Sequence, residues 1–297
     1  MDLKRSLIDL MPGPLVRTFA SPYIAGKGVA SGVAKADALQ ERGLCSTIDL
    51  LGEEVFDRAD VEATVQVYFR MFEAMQDRRF ATVSLKPTQL GINESVEYCQ
   101  DNLKRIAAAA AARGLRITLD MEDSSFTDRT LQMFKAVRDE FDNFGIVLQS
   151  RLFRTAEDIR TLHPRPCRVR ICIGIYQEPA AIALQHKPDM KDKLFEDVQL
   201  LLEHGHYPEI ATHDEPLVRR CMAWLDQRGV ARDAYEFQML LGVPRARLQQ
   251  EIVQRGQTVR LYVPFAEEWK YAVHYLKRRL AANPAMGLMV VKNLFGH

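Results

Sequence analysis

The sequence predicts an α/β fold: a closed (βα)8 barrel, with a helical arm ahead of it and a helix over its mouth. Three observations carry this. Eight short runs of β-branched and apolar residues recur along the chain. Amphipathic stretches separate them. The chain has 297 residues, 47% of them apolar, which is long for one ordinary domain and suits an α/β barrel. Strands alternating with helices imply a parallel sheet, and eight such units imply closure. An open doubly wound sheet is the alternative.

Residues 1–43 precede the first run and form the arm; residues 44–297 form the barrel. The first four runs are CSTIDLLGE (45–53), ATVSLKPTQ (81–89), LRITLDMED (115–123) and GIVLQSR (145–151). RVRICIGIY (168–176), PEIATHD (208–214), YEFQML (235–240) and VRLYVPF (259–265) complete the set. Between the first and second lies VEATVQVYFRMFEAMQDR (61–78), and between the second and third a helical stretch over 93–114 that ends on Gly114. HDEPLVRRCMAWLDQRG opens with Pro216 near its first turn and closes on Gly229, as helices often do. The tail GLMVVKNLFGH, after Pro284, forms a final short helix.

Composition narrows the function. The 40 basic and 39 acidic residues leave a net charge of +1, which favours neither nucleic acid nor disorder. Five cysteines without a CxxC pair fit a reduced, cytoplasmic setting. No apolar run approaches the ~18 residues of a membrane span. Asp9 and Pro12 break the N-terminus too early for a signal peptide. Membrane attachment, where it exists, is peripheral at the inner face.

Most runs end on a polar residue: Asp49 and Glu53, Lys86, Asp120, Gln149, Tyr176, His213, Gln238 and Tyr262, with Arg170 earlier in its run. In such a barrel these ends face the active site. Lys86 and Asp120 are costly there without partners. An ion-pair network inside the mouth accounts for any one of them; a polar residue in nearly every strand favours a ligand site.

A helix from Glu267 to Ala282 follows the eighth run. Trp269, Val273, Leu276 and Leu280 make its apolar stripe, and Tyr275, Arg278 and Arg279 share a neighbouring face. The two arginines read either as a solvated charge run or as a clamp for a carboxylate, which Arg grips in a bidentate fork. Other motifs are weak. GKGVAS (26–31) follows no strand and is a poor dinucleotide fingerprint, and HGH (204–206) shows no third metal ligand. Lys86 at a strand end also suits a Schiff-base lysine.

Taken together, these residues resemble the proline dehydrogenase family from about residue 43 onward. DLLGE, LK, LDMED and VLQ mark the first four strands. The R-x-x-x-G-x-Y run at 170–176, ATHD, YEFQML and RLYVPF mark the other four, and RRL marks the last helix. The resemblance implies a distorted, TIM-type (βα)8 barrel that binds FAD without a Rossmann fingerprint. It implies oxidation of L-proline to Δ1-pyrroline-5-carboxylate, with electrons passed to a quinone. Lys86, Arg278 and Arg279 would hold the substrate carboxylate, with Asp120 orienting the basic group. Leu240, Tyr262 and Tyr275 would pack on the ring, with Ile175 near it. Arg170 would lie against the flavin and Met121 beside it. Gln149, Ile173, Gly174, Ile175, Thr212 and His213 would contact FAD. No metal is implied. Three positions depart from the family pattern: Ile173 stands for a lysine, Ile175 for an alanine and Ala282 for a glutamate. Two other readings stay open: a lysine-dependent aldolase or lyase on the same barrel, and a non-catalytic barrel that binds a metabolite.

Overall fold

A computed structural model describes residues 21–52 and 55–282, without the side chains of His274 and of residues 278–282. Glu53, the first 20 residues of the arm and the predicted tail helix lie outside the described residues. All eight runs form strands, and they close into a barrel in chain order. The strands are β1 (Cys45–Leu51), β2 (Ala81–Leu85), β3 (Ile117–Leu119), β4 (Phe144–Gln149), β5 (Arg168–Cys172), β6 (Tyr207–Ala211), β7 (Glu236–Leu240) and β8 (Thr258–Ala266). Each pairs in parallel with the next, and β8 closes on β1.

Helix α1 (Val29–Gln40) precedes β1. The helices between strands are α2 (Arg58–Ala74), α3 (Val96–Ala111), α4 (Thr127–Glu140), α5 (Thr155–Arg160), α6 (Lys187–Glu203), α7 (Glu215–Gln227) and α8 (Ala246–Gln254). Helix α9 (Trp269–Ala282) follows β8. Side-chain caps set several starts. Asp57 accepts from the Ala59 amide, Ser95 from Tyr98 and Asp214 from Leu217, each satisfying an amide the first turn leaves open.

The seam between β8 and β1 departs from a regular barrel. Helix α1, in the segment expected to form an arm, packs there against both strands, in the place a helix following β8 would take in a regular barrel. Gly32 permits the approach: a Cβ on it would stand 3.0 Å from Ile48 Cγ2 and 3.3 Å from Phe265 Cδ1. Val33, Ala36 and Leu39 of α1 join the main core. Helix α9 lies elsewhere. Its Ala272, Tyr275 and Leu276 form a second cluster with Tyr23, Ile24, Leu51 and Ala266. Leu51 and Ala266 are the last residues of β1 and β8, so α9 sits at the C-terminal, mouth end of the barrel.

The strands alternate. Ile48, Val83, Leu119, Ile146, Ile171, Phe237 and Val263 belong to the apolar core. The alternate positions carry the polar and charged side chains of the barrel interior. Arg168 reaches Glu209 (2.8 Å) and Glu236 (2.6 Å), and Arg260 reaches Glu236 (2.6 Å). Arg260 and Glu236 are only 2% and 1% exposed. Burial pushes the Glu236 carboxyl up, but the Arg260 and Arg168 guanidiniums override it and hold it at about 2.

We predict that Glu236→Gln lowers the melting temperature by about 6–15 °C at pH 7, since breaking a buried pair costs about 3–5 kcal/mol. The depressed carboxyl stabilises the fold above its ordinary value of 4.5, and that contribution fades as pH falls toward about 2. Thermal melts across that window should show a shallower acid-side loss in the variant. Melts that superpose on wild type would mean the carboxylate is not stabilised as described.

Candidate active site

Asp120 follows β3 directly and gathers the charged residues at the barrel mouth. Its Oδ1 accepts from Ser84 Oγ (2.6 Å) on β2 and from Arg170 Nη1 (2.8 Å) on β5. Its Oδ2 accepts from Tyr262 Oη (2.7 Å) on β8 and lies 3.5 Å from Lys86 Nζ. Lys86, one residue past β2, also pairs with Asp49 of β1. The Arg170 guanidinium carbon stands 5.1 Å from the Tyr262 ring centroid. Four of the residues expected from sequence, Lys86, Asp120, Arg170 and Tyr262, thus meet in one hydrogen-bonded group.

The electrostatics follow from burial and pairing. Burial pulls the Lys86 ammonium down, but Asp49, Tyr262 and Asp120 outweigh it and hold its pKa well above the usual lysine range. Burial pushes Asp120 up, and Lys86 with Arg170 drives it below the ordinary carboxylate value. Asp49 stays raised, because burial exceeds what Lys86 restores. Burial next to two carboxylates carries the Tyr262 phenol well above its ordinary value. Lys86 is therefore a fixed cation.

A second group lines the rim from β3 to β7. Gln149, at the end of β4, donates through Nε2 to the Met121 and Glu122 carbonyls (3.3 and 2.8 Å). Gly174 takes φ +93°, and a Cβ there would stand 2.5 Å from Gln149 Oε1. The Ile173 carbonyl accepts from the Arg151 amide, and Ile175 is 62% exposed. Thr212 Oγ1 accepts from the Asp214 amide. His213 Nε2 accepts from the Leu240 amide (3.2 Å), tying the ends of β6 and β7 together.

These residues fit the FAD that the resemblance implies. Gln149 Oε1 and Arg170 Nη2 are both buried with no hydrogen-bond partner. Native folds rarely leave such atoms unanswered. A flavin edge, which carries donors and acceptors, would answer both; Gly174 packs directly on Gln149 Oε1, an approach that any Cβ there would block.

Helix α9 differs from expectation. The predicted stripe was Trp269, Val273, Leu276 and Leu280, with Tyr275 on a neighbouring face. Leu276 of that stripe is buried, and Trp269 and Val273 pack partly buried against the same cluster, but the buried side also takes in Ala272 and Tyr275. The helix meets the ends of β1 and β8, and residues three and four apart share the buried side. Tyr275 therefore packs in the second cluster. Arg278 and Arg279 lie on α9, but their side chains are outside the described residues.

Sequence reasoning named Asp49 and Gln238 only as polar strand ends and did not name Ser84 or Glu122. Asp49 holds Lys86, Ser84 bridges Asp120, and Gln238 bonds Arg170 Nε (2.7 Å). Glu122 accepts from the Thr88 amide and hydroxyl (2.9 and 2.7 Å), pinning the turn after Lys86. The missed signal was strand parity: Asp49, Ser84 and Gln238 occupy inward positions on their strands. Among the described residues no group of three His, Cys, Asp or Glu side chains is placed to hold a metal ion.

The sequence profile of the proline dehydrogenase family matches residues 33–175 and 176–290. Proline dehydrogenase 1 of Bacillus subtilis (strain 168) is 31% identical over 279 residues, covering 94% of this chain and 91% of its own length. The proline dehydrogenase of Deinococcus radiodurans is 32% identical over 297 residues, covering 98% and 94%. Among solved structures, proline utilization A of Bdellovibrio bacteriovorus, inactivated by N-propargylglycine, matches with a TM-score of 0.82 at 23% identity. That match covers 89% of this chain and 32% of the other, so this chain spans about a third of that longer protein. At such identity it speaks to the fold alone.

A lysine that forms a Schiff base must reach its neutral form, which Asp49 and Asp120 oppose at Lys86. We predict that borohydride with a small ketone or aldehyde leaves Lys86 unmodified from pH 7 to 9, as read by peptide mass spectrometry. A reduced adduct on Lys86 would restore the lyase reading.

Proposed function

The chain belongs to the proline dehydrogenase family and is an enzyme that oxidises proline, and from this premise we propose how its barrel mouth does so. It converts L-proline to Δ1-pyrroline-5-carboxylate, with FAD as cofactor and a quinone as final electron acceptor. The observation that carries this reading is the Asp120 cluster, which places a fixed ammonium, a guanidinium and a phenol together at the strand ends. Bound FAD supplies the hydride-accepting chemistry.

The chain's own residues bind, orient and shield. Lys86 takes the substrate carboxylate together with Arg278 and Arg279. Asp49 and Asp120 hold the Lys86 ammonium in place. Tyr262, Leu240 and Tyr275 wall the ring, and Ile175, exposed at the rim, becomes covered when the ligands enter. The ring amine is neutral when the adjacent C–H bond breaks, so the site favours the deprotonated substrate. Arg170 would set a positive charge beside the cofactor, and Met121, Gln149, Ile173, Gly174, Ile175, Thr212 and His213 would line it. Water exclusion and alignment supply the rate.

In this reading residues 44–297 are the catalytic barrel and residues 1–43 its arm. Among the described residues no helix is long and apolar enough to cross a membrane. We place the enzyme in the cytoplasm, in peripheral contact with the membrane's inner face, where it meets quinone.

The test is direct. Purified protein should be yellow with a flavin absorption band, and L-proline should bleach it without oxygen. A colourless protein, or a coloured one that proline does not reduce, overturns the reading.

The arginine pair gives a second measurement. Charge-assisted hydrogen bonds contribute about 1.5–3 kcal/mol each. Arg278→Met and Arg279→Met should each lower kcat/KM for proline about ten- to several-hundred-fold, mainly through KM. FAD content should stay near wild type, and Lys277→Met should change little. Wild-type KM in both arginine variants would make the pair a solvated charge run.

A further inference from the structure

We infer that Gln238 is a positioning residue: its side-chain amide, oriented by Glu209 and Glu236, fixes the guanidinium of Arg170 beside the cofactor. The inference rests on the proposed function in one respect, the seating of flavin against Arg170.

Gln238 lies inside the barrel on β7 and is 3% exposed. Its Nε2 donates to Glu209 Oε2 and to Glu236 Oε1, both at 2.7 Å. Its Oε1 accepts from Arg170 Nε at 2.7 Å. An ionised carboxylate only accepts, and a guanidinium only donates. A flipped amide would set oxygen against two carboxylates and nitrogen against a guanidinium. The three neighbours therefore select one orientation. Glu236 is ionised through the neutral range because Arg260 and Arg168 overcome its burial.

The consequence falls on Arg170. Gln238 takes its Nε, while Asp120 and Ser84 take its Nη1 at 2.8 and 3.2 Å. Its guanidinium carbon lies over the Tyr262 ring, 5.1 Å from the centroid. Only Nη2 is left without a hydrogen-bond partner, and it is buried. The guanidinium is fixed by hydrogen bonds at two of its nitrogens, so the third nitrogen is presented in one direction. Asp120 and Ser84 alone hold one edge and leave the group free to pivot. Gln238 removes that freedom without adding charge, which an acidic residue in its place would do.

Gln238→Met keeps the bulk and removes the acceptor. The test measures kcat/KM for proline, the midpoint potential of bound FAD and the melting temperature, in wild type, Gln238→Met, Arg170→Met and the double variant. We expect Gln238→Met to lower kcat/KM tenfold or more, mostly through kcat, and to shift the potential negative, in the same direction as Arg170→Met. The double variant should match Arg170→Met, since the two act through one group. If Gln238→Met does not fold, Gln238→Asn, which shortens the reach to Arg170, should shift the potential the same way by less. A lower melting temperature with an unchanged potential would leave Gln238 a structural residue and overturn the inference. So would additive potential shifts in the double variant. Wild-type protein that binds no flavin would instead overturn the functional reading, and this inference with it.

Discussion

Charges enclosed in a barrel must answer one another, and the Asp120 carboxylate is where the interior of this one is answered. Each of its oxygens serves two elements: Ser84 and Arg170 at Oδ1, Tyr262 and Lys86 at Oδ2. Those partners come from β2, β5, β8 and the turn after β2. A single side chain thus ties together strands on opposite sides of the barrel. An isolated carboxylate this deep would lose its charge rather than bear the desolvation. The surrounding cations keep it ionised, and it in turn keeps Lys86 protonated. The site's electrostatics are reciprocal, so altering one member alters the others.

The same constraint extends down the barrel. Below the mouth, Arg168, Arg260, Glu209 and Glu236 form a second paired group. Gln238, which is neutral, bonds to both groups. The apolar core is therefore the layer between sheet and helices. A polar interior gives the mouth a rigid floor, whose hydrogen-bond directions are set by which groups accept and which donate. Replacing it with apolar side chains of equal volume would be tolerable for stability but would erase those directions.

Much of this was legible in the sequence. The eight runs read as strands because each is short, β-branched and followed by an amphipathic stretch, and the barrel closes in that order. Lys86, Asp120, Arg170 and Tyr262 were legible as a group, since polar residues at strand ends converge at one face. The pairings were not. That Lys86 leans on Asp49, and that Ser84 joins Asp120 to Arg170, depends on barrel closure and on the registers that set Asp49 beside Ser84 and Gln238 beside Arg260. Helix α1's seat over the β8–β1 seam was also invisible, because nothing local in its residues specifies which strands it meets. For α9, helical spacing puts Trp269, Val273 and Leu276 on the packed side, as found, but Tyr275 on a neighbouring face, whereas the ends of β1 and β8 bury it in the same cluster.

The charges at the mouth also bear on the role proposed for the last helix. Asp49 and Asp120 carry two negative charges, and Lys86 and Arg170 carry two positive ones, so this group balances by itself. A balanced group has no excess attraction for an anion. A substrate carboxylate brought to Lys86 would compete with Asp49 and Asp120 for one ammonium, and desolvation would oppose it. In the proposed reading, Arg278 and Arg279 supply the missing charge, and they do so from α9, an element outside the strand framework. On that reading the strand cluster would fix orientation and the helix would provide the affinity. Positive charge placed instead on a strand would disturb the balance that keeps Asp120 and Lys86 in register, whereas on α9 it is added without unsettling the floor beneath.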